Sequence, residues 1–345
     1  MDQVRIGLIG GGGIADAHIR GYRAWPDRIV VTAIADTTAE TLARRVAELD
    51  ATGFADYADL IRDGAIDAVD ICLPHHLHKD AIVRAADAGK HILCEKPLCL
   101  SADEALEVQA AVVANGVTLM CAHNQLFLPA VAKAREILDS GVLGTVYEVR
   151  TTDSFFNDFD PTTMGWRAVA RTSGGGELID TGYHPTYLML HLAGGSPIAA
   201  TAMLSRHRLT FMEGEDSAQV LVRFDNGVVG QMATSWAYRA APITERFSVV
   251  AEYGSLHSDR QGNAVTVTPR SAAEPETFTF PPVDTFVAEI GHFADSLIHG
   301  TRPIHTEVEG IEALGILLAA YEAAAQGTIA PVVRLPLVTD DDAAA

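Results

Sequence analysis

Arg5–His18 reads RIGLIGGGGIADAH, a short apolar run that meets four consecutive glycines and then an alanine-containing amphipathic segment. A buried strand, a tight turn and the first turn of a helix is the simplest conformation such a string supports. Gly10, Gly12 and Ala15 stand in G-x-G-x-x-A spacing. The three small residues then permit, in turn, a sharp bend, close approach of backbone to a pyrophosphate, and close packing of helix on strand. Gly13 and Ile14 complete the mouth of the helix, where unpaired N–H groups and the positive end of the helix favour phosphate. Alone, the string also fits an ordinary glycine-rich turn. At the head of a strand–helix–strand unit it specifies a dinucleotide site.

The flanking sequence supplies that unit. Val4–Ile9, Ile29–Ala35, Ala68–Leu73, His91–Cys94 and Val117–Cys121 read as strands, and helices are expected near Ile14–Ala24, Thr38–Leu49, Tyr57–Arg62, His76–Ala88 and Ala102–Ala114. Gly89 falls where a C′ glycine ends a helix, and Ser101 with Glu104 forms a capping box. Alternation at this rhythm implies right-handed crossovers and a parallel, doubly wound sheet. Asp36 closes the second strand about twenty residues past the fingerprint, where an acid accepts hydrogen bonds from ribose hydroxyls and repels a 2′-phosphate. It can equally cap the next helix. No Lys or Arg follows before Arg44, so the expected cofactor is NAD, with NADP less suited.

The pattern changes near residue 123, dividing the chain into a nucleotide-binding domain, 1–122, and a second domain, 123–345. After a helix around Pro129–Leu138, the runs Val146–Thr152, Ile198–Arg206, Ala218–Phe224, Val228–Trp236, Arg246–Ala251 and Ala264–Thr268 read as strands without long helices between them. In QVLVRFDNGVVGQMATSW, Asn226-Gly227 supplies positive φ angles for a hairpin turn, so antiparallel pairing is expected. Two helices follow. Asp284 caps the first, whose Phe286, Ile290, Phe293 and Leu297 share a face, and Thr306 with Glu309 boxes the second. The terminal TDDDAAA reads as an acidic, frayed tail.

Composition excludes several classes. The 345 residues are 48% hydrophobic, enough for two cores, and the net charge of −20 without a basic stripe argues against nucleic acid or an anionic membrane as partner. No run reaches the roughly 18 apolar residues of a membrane span, and the first residues lack a leader pattern, so the cytoplasm is the expected compartment. Cys72, Cys94, Cys99 and Cys121 stand singly and read as buried thiols in a reducing environment.

Two further stretches carry candidate chemistry. Cys94-Glu95-Lys96-Pro97-Leu98 follows a parallel strand at the carboxyl edge, where Lys96 can set positive charge beside a reacting oxygen or simply pair with Glu95 at the surface. In GGGELIDTGYHPTYLMLHLAG, Gly174–Gly194, a continuous helix would place Asp180, His184, Tyr187 and His191 on one stripe, with Leu178, Leu188 and Leu192 packing apolar surface. Pro185 is expected to kink that helix. His191 reads as a core histidine, whereas His75, His76 and His78 read as cap and surface residues, and no metal site is expected. Trp166 and Arg167 precede the glycines, and an Arg there can hold a substrate hydroxyl or carboxylate. The acidic, aromatic loop TTDSFFNDFDP suits a site wall or a solvated loop.

Taken in order, GGGGIA, Asp36, CEKPL and WR…GGGELIDTGYH resemble the Gfo/Idh/MocA oxidoreductases over about the first 195 residues. The resemblance implies an α/β fold with an N-terminal Rossmann domain, a C-terminal α+β domain on a large open, mostly antiparallel sheet, and a substrate cleft between them. It implies hydride transfer between nicotinamide and a secondary alcohol or ketone of a sugar, cyclitol or glycoside, in a homodimer or homotetramer joined through the C-terminal sheet. Lys96, Asp180 and His184 match the motif lysine and the Asp-x-x-x-His pair and become the catalytic candidates. Leu73, Pro74 and His75, with Glu95 and Lys96, become cofactor contacts, although Leu73 and His75 depart from the usual Thr-Pro-Asn. Asn124 and Gln125 stand where many relatives carry an Arg, and neutral amides suit a neutral polyol; Asn124, Trp166, Arg167 and His184 are the substrate candidates. Two alternatives stay open: a redox-assisted lyase or glycoside-cleaving enzyme that recycles NAD, and a non-catalytic NAD-binding sensor.

Overall fold

A computed structural model describes residues 3–241, 243–271 and 274–333. The acidic tail lies outside these described residues. The described residues form two compact units: 3–124 with 284–311, and 125–283 with 312–333.

In the first unit, β1 (Val4–Ile9), β2 (Ile29–Ala35), β3 (Thr52–Phe54), β4 (Ala68–Ile71), β5 (His91–Cys94) and β6 (Leu119–Cys121) form a sheet ordered β3-β2-β1-β4-β5-β6. All five pairings are parallel. Helices α1 (Ala15–Ala24), α2 (Ala39–Leu49), α3 (Tyr57–Asp63), α4 (His78–Asp87) and α5 (Ala102–Asn115) make the crossovers. The strand order reverses between β1 and β4, so the carboxyl ends of these two strands flank the switch point where open α/β sheets take ligands. Gly89 takes the expected positive φ of +66°. Ser101 accepts the Glu104 N–H, but Glu104 reaches back to the N–H of Leu100, one residue outside the usual capping box.

The second unit begins with α6 (Pro129–Asp139) and continues through β7 (Val146–Ser154), three helices, α7 (Ala170–Ser173), α8 (Glu177–Asp180) and α9 (Tyr183–Ala193), and then a run of strands. These are β8 (Pro197–Ser205), β9 (Ser217–Phe224), β10 (Val229–Ser235), β11 (Phe247–Ala251), β12 (Gly254–Ser258), β13 (Ala264–Pro269), β14 (Glu276–Thr279) and β15 (Ala330–Pro331). With β7 they form a nine-stranded sheet ordered β14-β13-β12-β11-β7-β10-β9-β8-β15. It is antiparallel except for β7 beside β10. One side is covered: α9 packs on β7, β10 and β11, and every second residue of β9 is buried. At the β9–β10 turn only Gly227 has a positive φ, +89°, and Asn226 does not. The expected two-residue mirror turn is replaced by a turn over Phe224–Gly227, with Asn226 accepting the N–H of Val228 and donating to the carbonyl of Ala193.

Helix α10 (Thr285–His299) belongs with the first unit, although it follows the large sheet in sequence. Asp284 caps it as expected, and its buried Ile290 and Phe293 close on α1, where any side chain at Gly21 would meet Ile290 at 2.5 Å. Burial of each such residue is worth roughly 1.5–3 kcal/mol. Helix α11 (Glu307–Gln326) is shared, with residues to Ile311 in the first unit and the rest in the second. Among the described residues no helix is long and apolar enough to cross a membrane. All four cysteines are buried and free.

Candidate active site

Gly10 adopts φ +96°, and a Cβ there would sit 2.5 Å from the carbonyl of Cys72, so the turn leaving β1 requires glycine. Gly12 and Gly13 are exposed, and among the described residues a Cβ on either would meet nothing within 4 Å. Ile14, the N-cap of α1, gives no side-chain cap, and the N–H groups of Asp16 and Ala17 bond back to the carbonyls of Gly13 and Ile14. Asp36 holds the loop from the second strand: its carboxylate accepts the N–H of Gly11 at 2.8 Å and of Thr38 at 2.7 Å. An open glycine cradle, an uncapped helix start and a carboxylate at the end of β2 fit a dinucleotide.

Leu73 and Pro74 follow β4 and are half-buried; His75 is buried. His78 is wholly buried, a correction to its reading as a surface residue. Its Nδ1 lies 2.6 Å from the carbonyl oxygen of Pro97 and its Nε2 lies 2.8 Å from that of Leu73, so one imidazole ties the turn after β4 to the turn after β5. Lys96 leaves β5 through a cis bond to Pro97.

Glu95 is buried and not a surface residue. Its carboxylate turns inward, accepting the Lys96 N–H and lying 3.1 Å from His18 Nε2. This side of His18 belongs to a buried polar cluster that sequence reading missed. His18 Nδ1 lies 2.8 Å from Asp70, and the Tyr22 hydroxyl donates to the same carboxylate oxygen at 2.6 Å. Burial alone would lower the His18 pKa, but Asp70 beside it reverses the sign and holds it well above the usual imidazole value. Both ring nitrogens face carboxylates, so the cationic form satisfies both. Burial pushes Cys72 up to about 12, and Glu289, wholly buried with no hydrogen-bond partner for either oxygen among the described residues, is raised well above the carboxylate range by desolvation. His18, Asp70 and Cys72 also offer ligand atoms within 4.8 Å of one another, but His18 and Cys72 already bond to Asp70. The cluster was legible only as a histidine three residues past Ala15; its partners come from β4, β5 and α10.

In the second unit the glycines before Asp180 serve packing. A Cβ on Gly175 would fall 2.2 Å from the Tyr321 hydroxyl, and one on Gly176 would fall 2.0 Å from the Glu215 carbonyl. Glu215 then anchors α8 through the N–H groups of Glu177 and Leu178. The expected single helix is broken: α8 ends at Asp180, and α9 begins at Tyr183. Gly182 sits at the break, where a Cβ would meet the carbonyl of Leu178 at 2.5 Å, and Thr181 accepts from the Trp236 indole. Pro185 therefore lies in the first turn of α9. Its missing N–H is one of the donors a helix start leaves unpaired, so the expected kink does not occur.

Arg167 stacks on Trp166 at 4.3 Å and donates to Asp180 at 2.9 Å, so three of the candidates form one group. His184 Nδ1 lies 2.8 Å from the hydroxyl of fully buried Tyr187, which also accepts the Gln125 N–H. His191 is only partly buried and is not a core residue. Gln125 is committed to Asp153 and Arg246. Asn124, in the first unit, donates to Thr285 at the start of α10.

A parallel sheet reversed at β1/β4, with an open glycine cradle and an acid closing β2, is the architecture of a dinucleotide-binding domain. Residues 4–123 match the "Oxidoreductase family, NAD-binding Rossmann fold" of the Gfo/Idh/MocA proteins, and residues 131–257 match the "GFO/IDH/MocA C-terminal domain". The chain is 30% identical over 267 residues to levoglucosan dehydrogenase of Pseudarthrobacter phenanthrenivorans, covering 67% of each protein. It is 31% identical over 285 residues to D-xylose 1-dehydrogenase (NADP(+)) 2 of Haloferax volcanii, covering 80% of this chain and 83% of that one. A solved structure of levoglucosan dehydrogenase with NADH and levoglucosan superposes with a TM-score of 0.87 at 26% identity, over 96% of this chain and 100% of that one. The chain belongs to the Gfo/Idh/MocA oxidoreductase family. It is a dehydrogenase acting on CH–OH groups, with NAD as cofactor.

Proposed function

We propose that this dehydrogenase transfers hydride between NAD and a ring carbon of a sugar, cyclitol or glycoside, with Lys96, Asp180 and His184 as its acid–base residues. The observation that carries the substrate class is similarity to levoglucosan and D-xylose dehydrogenases through both halves of the chain. NAD, when bound, supplies the hydride acceptor. Gly10, Gly12, Gly13 and Ile14 hold its phosphates, Asp36 its ribose, and Leu73, Pro74 and His75 line it through backbone. Lys96 steadies the substrate oxygen with positive charge. His184 takes the hydroxyl proton on Nε2, which requires Nδ1–H to donate to the Tyr187 oxygen. Asp180, held by Arg167, supports the imidazolium that results. Asn124, Trp166 and Arg167 contact the substrate. Intact Lys96, Asp180 and His184 favour an enzyme over a sensor.

The open side of the nine-stranded sheet exposes Met203 at 80%, Leu221 at 48% and Val229 at 44%, which supports association into a homodimer or homotetramer through that face.

Thermal unfolding with NAD, NADP and a panel of polyols, inositols, aldoses and anhydrosugars tests the assignment, because a ligand that binds only the folded state stabilises it by mass action. NAD is expected to raise the midpoint more than NADP, and at least one ring polyol to add to the NAD shift. A larger shift with NADP contradicts the role of Asp36, and silence across the panel contradicts the substrate class.

A further inference from the structure

Arg45, in α2, is 1% exposed, an unusual burial for a guanidinium, and its contacts converge on the glycine loop. Nε donates to the carbonyl of Gly11 at 3.0 Å and Nη2 to that of Gly12 at 3.2 Å. Nη2 also donates to Asp16 at 2.6 Å and Nη1 to Glu48 at 2.7 Å. The two carboxylates compensate the buried charge, so what Arg45 brings to the loop is geometry more than field.

That geometry orients the loop's donors. Among the described residues only Lys96-Pro97 is cis. In a planar trans peptide the carbonyl and the N–H of the next residue point in opposite directions. Holding the Gly11 and Gly12 oxygens against the guanidinium therefore turns the N–H groups of Gly12 and Gly13 to the opposite side. Both glycines also border open space: among the described residues a Cβ on either meets nothing within 4 Å.

We propose that Arg45 is the positioning residue of the phosphate-binding loop, bracing two carbonyls from behind so that the N–H groups of Gly12 and Gly13 are set for the pyrophosphate before it arrives. Asp16 and Glu48 hold the guanidinium in that pose. Lysine cannot replace it, because one ammonium lacks the planar fork that spans two carbonyls and two carboxylates.

The test measures the affinity of Arg45→Met and Arg45→Lys for NAD, ADP and adenosine by calorimetry. Both variants should lose about tenfold or more for NAD and ADP, the equivalent of roughly one charge-assisted hydrogen bond, while adenosine binding stays within about twofold. A fold that is merely loosened would weaken adenosine and ADP alike. Equal losses for the two, or NAD affinity within about twofold of wild type in a folded variant, would overturn the proposal. Should neither variant fold, amide hydrogen exchange on the wild-type protein decides: ADP should slow exchange at Gly12 and Gly13 and adenosine should not. Unchanged exchange with ADP refutes the assignment.

Discussion

Lys96→Ala and His184→Ala should each lower turnover by about 10²–10⁴-fold while NAD binding persists. The reason is a division of labour along the chain. On the proposed assignment NAD is held by the loop after β1 and by Asp36, whose bonds to Gly11 and Thr38 involve neither residue. On the proposed mechanism the reacting oxygen depends on both. Without Lys96, charge that develops on that oxygen lacks its counter-charge; without His184, the hydroxyl proton lacks its acceptor. Steady-state turnover, together with NAD titration followed by protein fluorescence, checks the pair. Near-normal turnover in both variants removes the mechanism, and loss of NAD affinity in step with turnover makes the residues cofactor ligands instead.

His18→Ala should destabilise the first unit by about 3–5 kcal/mol. The substitution strands Asp70 and Glu95, which share His18 between them, in a region where His18 and Asp70 have no exposed side-chain surface. Removing one member of a buried ion pair costs more than the pair contributes, because the survivor keeps its desolvation penalty. The pH dependence follows from the raised His18 pKa. Stability from this imidazolium is fully present below the ordinary histidine value, near 6.5, and is lost as pH rises through the higher folded value. The gap between wild type and variant should therefore be widest in mild acid and narrow toward alkaline pH. Denaturant unfolding at pH 6 and pH 9 reads it; a gap that is absent or widens with pH rules out a cationic His18. Because Glu95 also accepts the Lys96 N–H, the same cluster fixes the backbone from which Lys96 extends.

The parts of this architecture that were readable in sequence are those whose cause is local. The glycine spacing of Gly10, Gly12 and Ala15 and the acid at Asp36 act within one strand–helix–strand unit, and the structure places them as that unit demands. β3 escaped because Thr52 and Gly53 are exposed and the strand is three residues long, so no apolar alternation marks it. The break between α8 and α9 escaped because Gly182 reads as a tolerated helix glycine until the Leu178 carbonyl is seen against it. His18, Asp70, Glu95 and Glu289 are spread over 271 positions, and only the doubly wound topology and α10 gather them. Arg45 was passed over for a related reason: its ligands are backbone carbonyls, which carry no mark in sequence.

The most direct test uses the ring polyol or sugar that adds to the NAD shift, deuterated at the carbon to be oxidised. Turnover with NAD should yield reduced nicotinamide carrying the deuterium at C4, in amount equal to the ketone or lactone formed. Product formed without deuterium in released NADH would contradict a net dehydrogenase, and would point to hydride returned to the substrate within the same turnover.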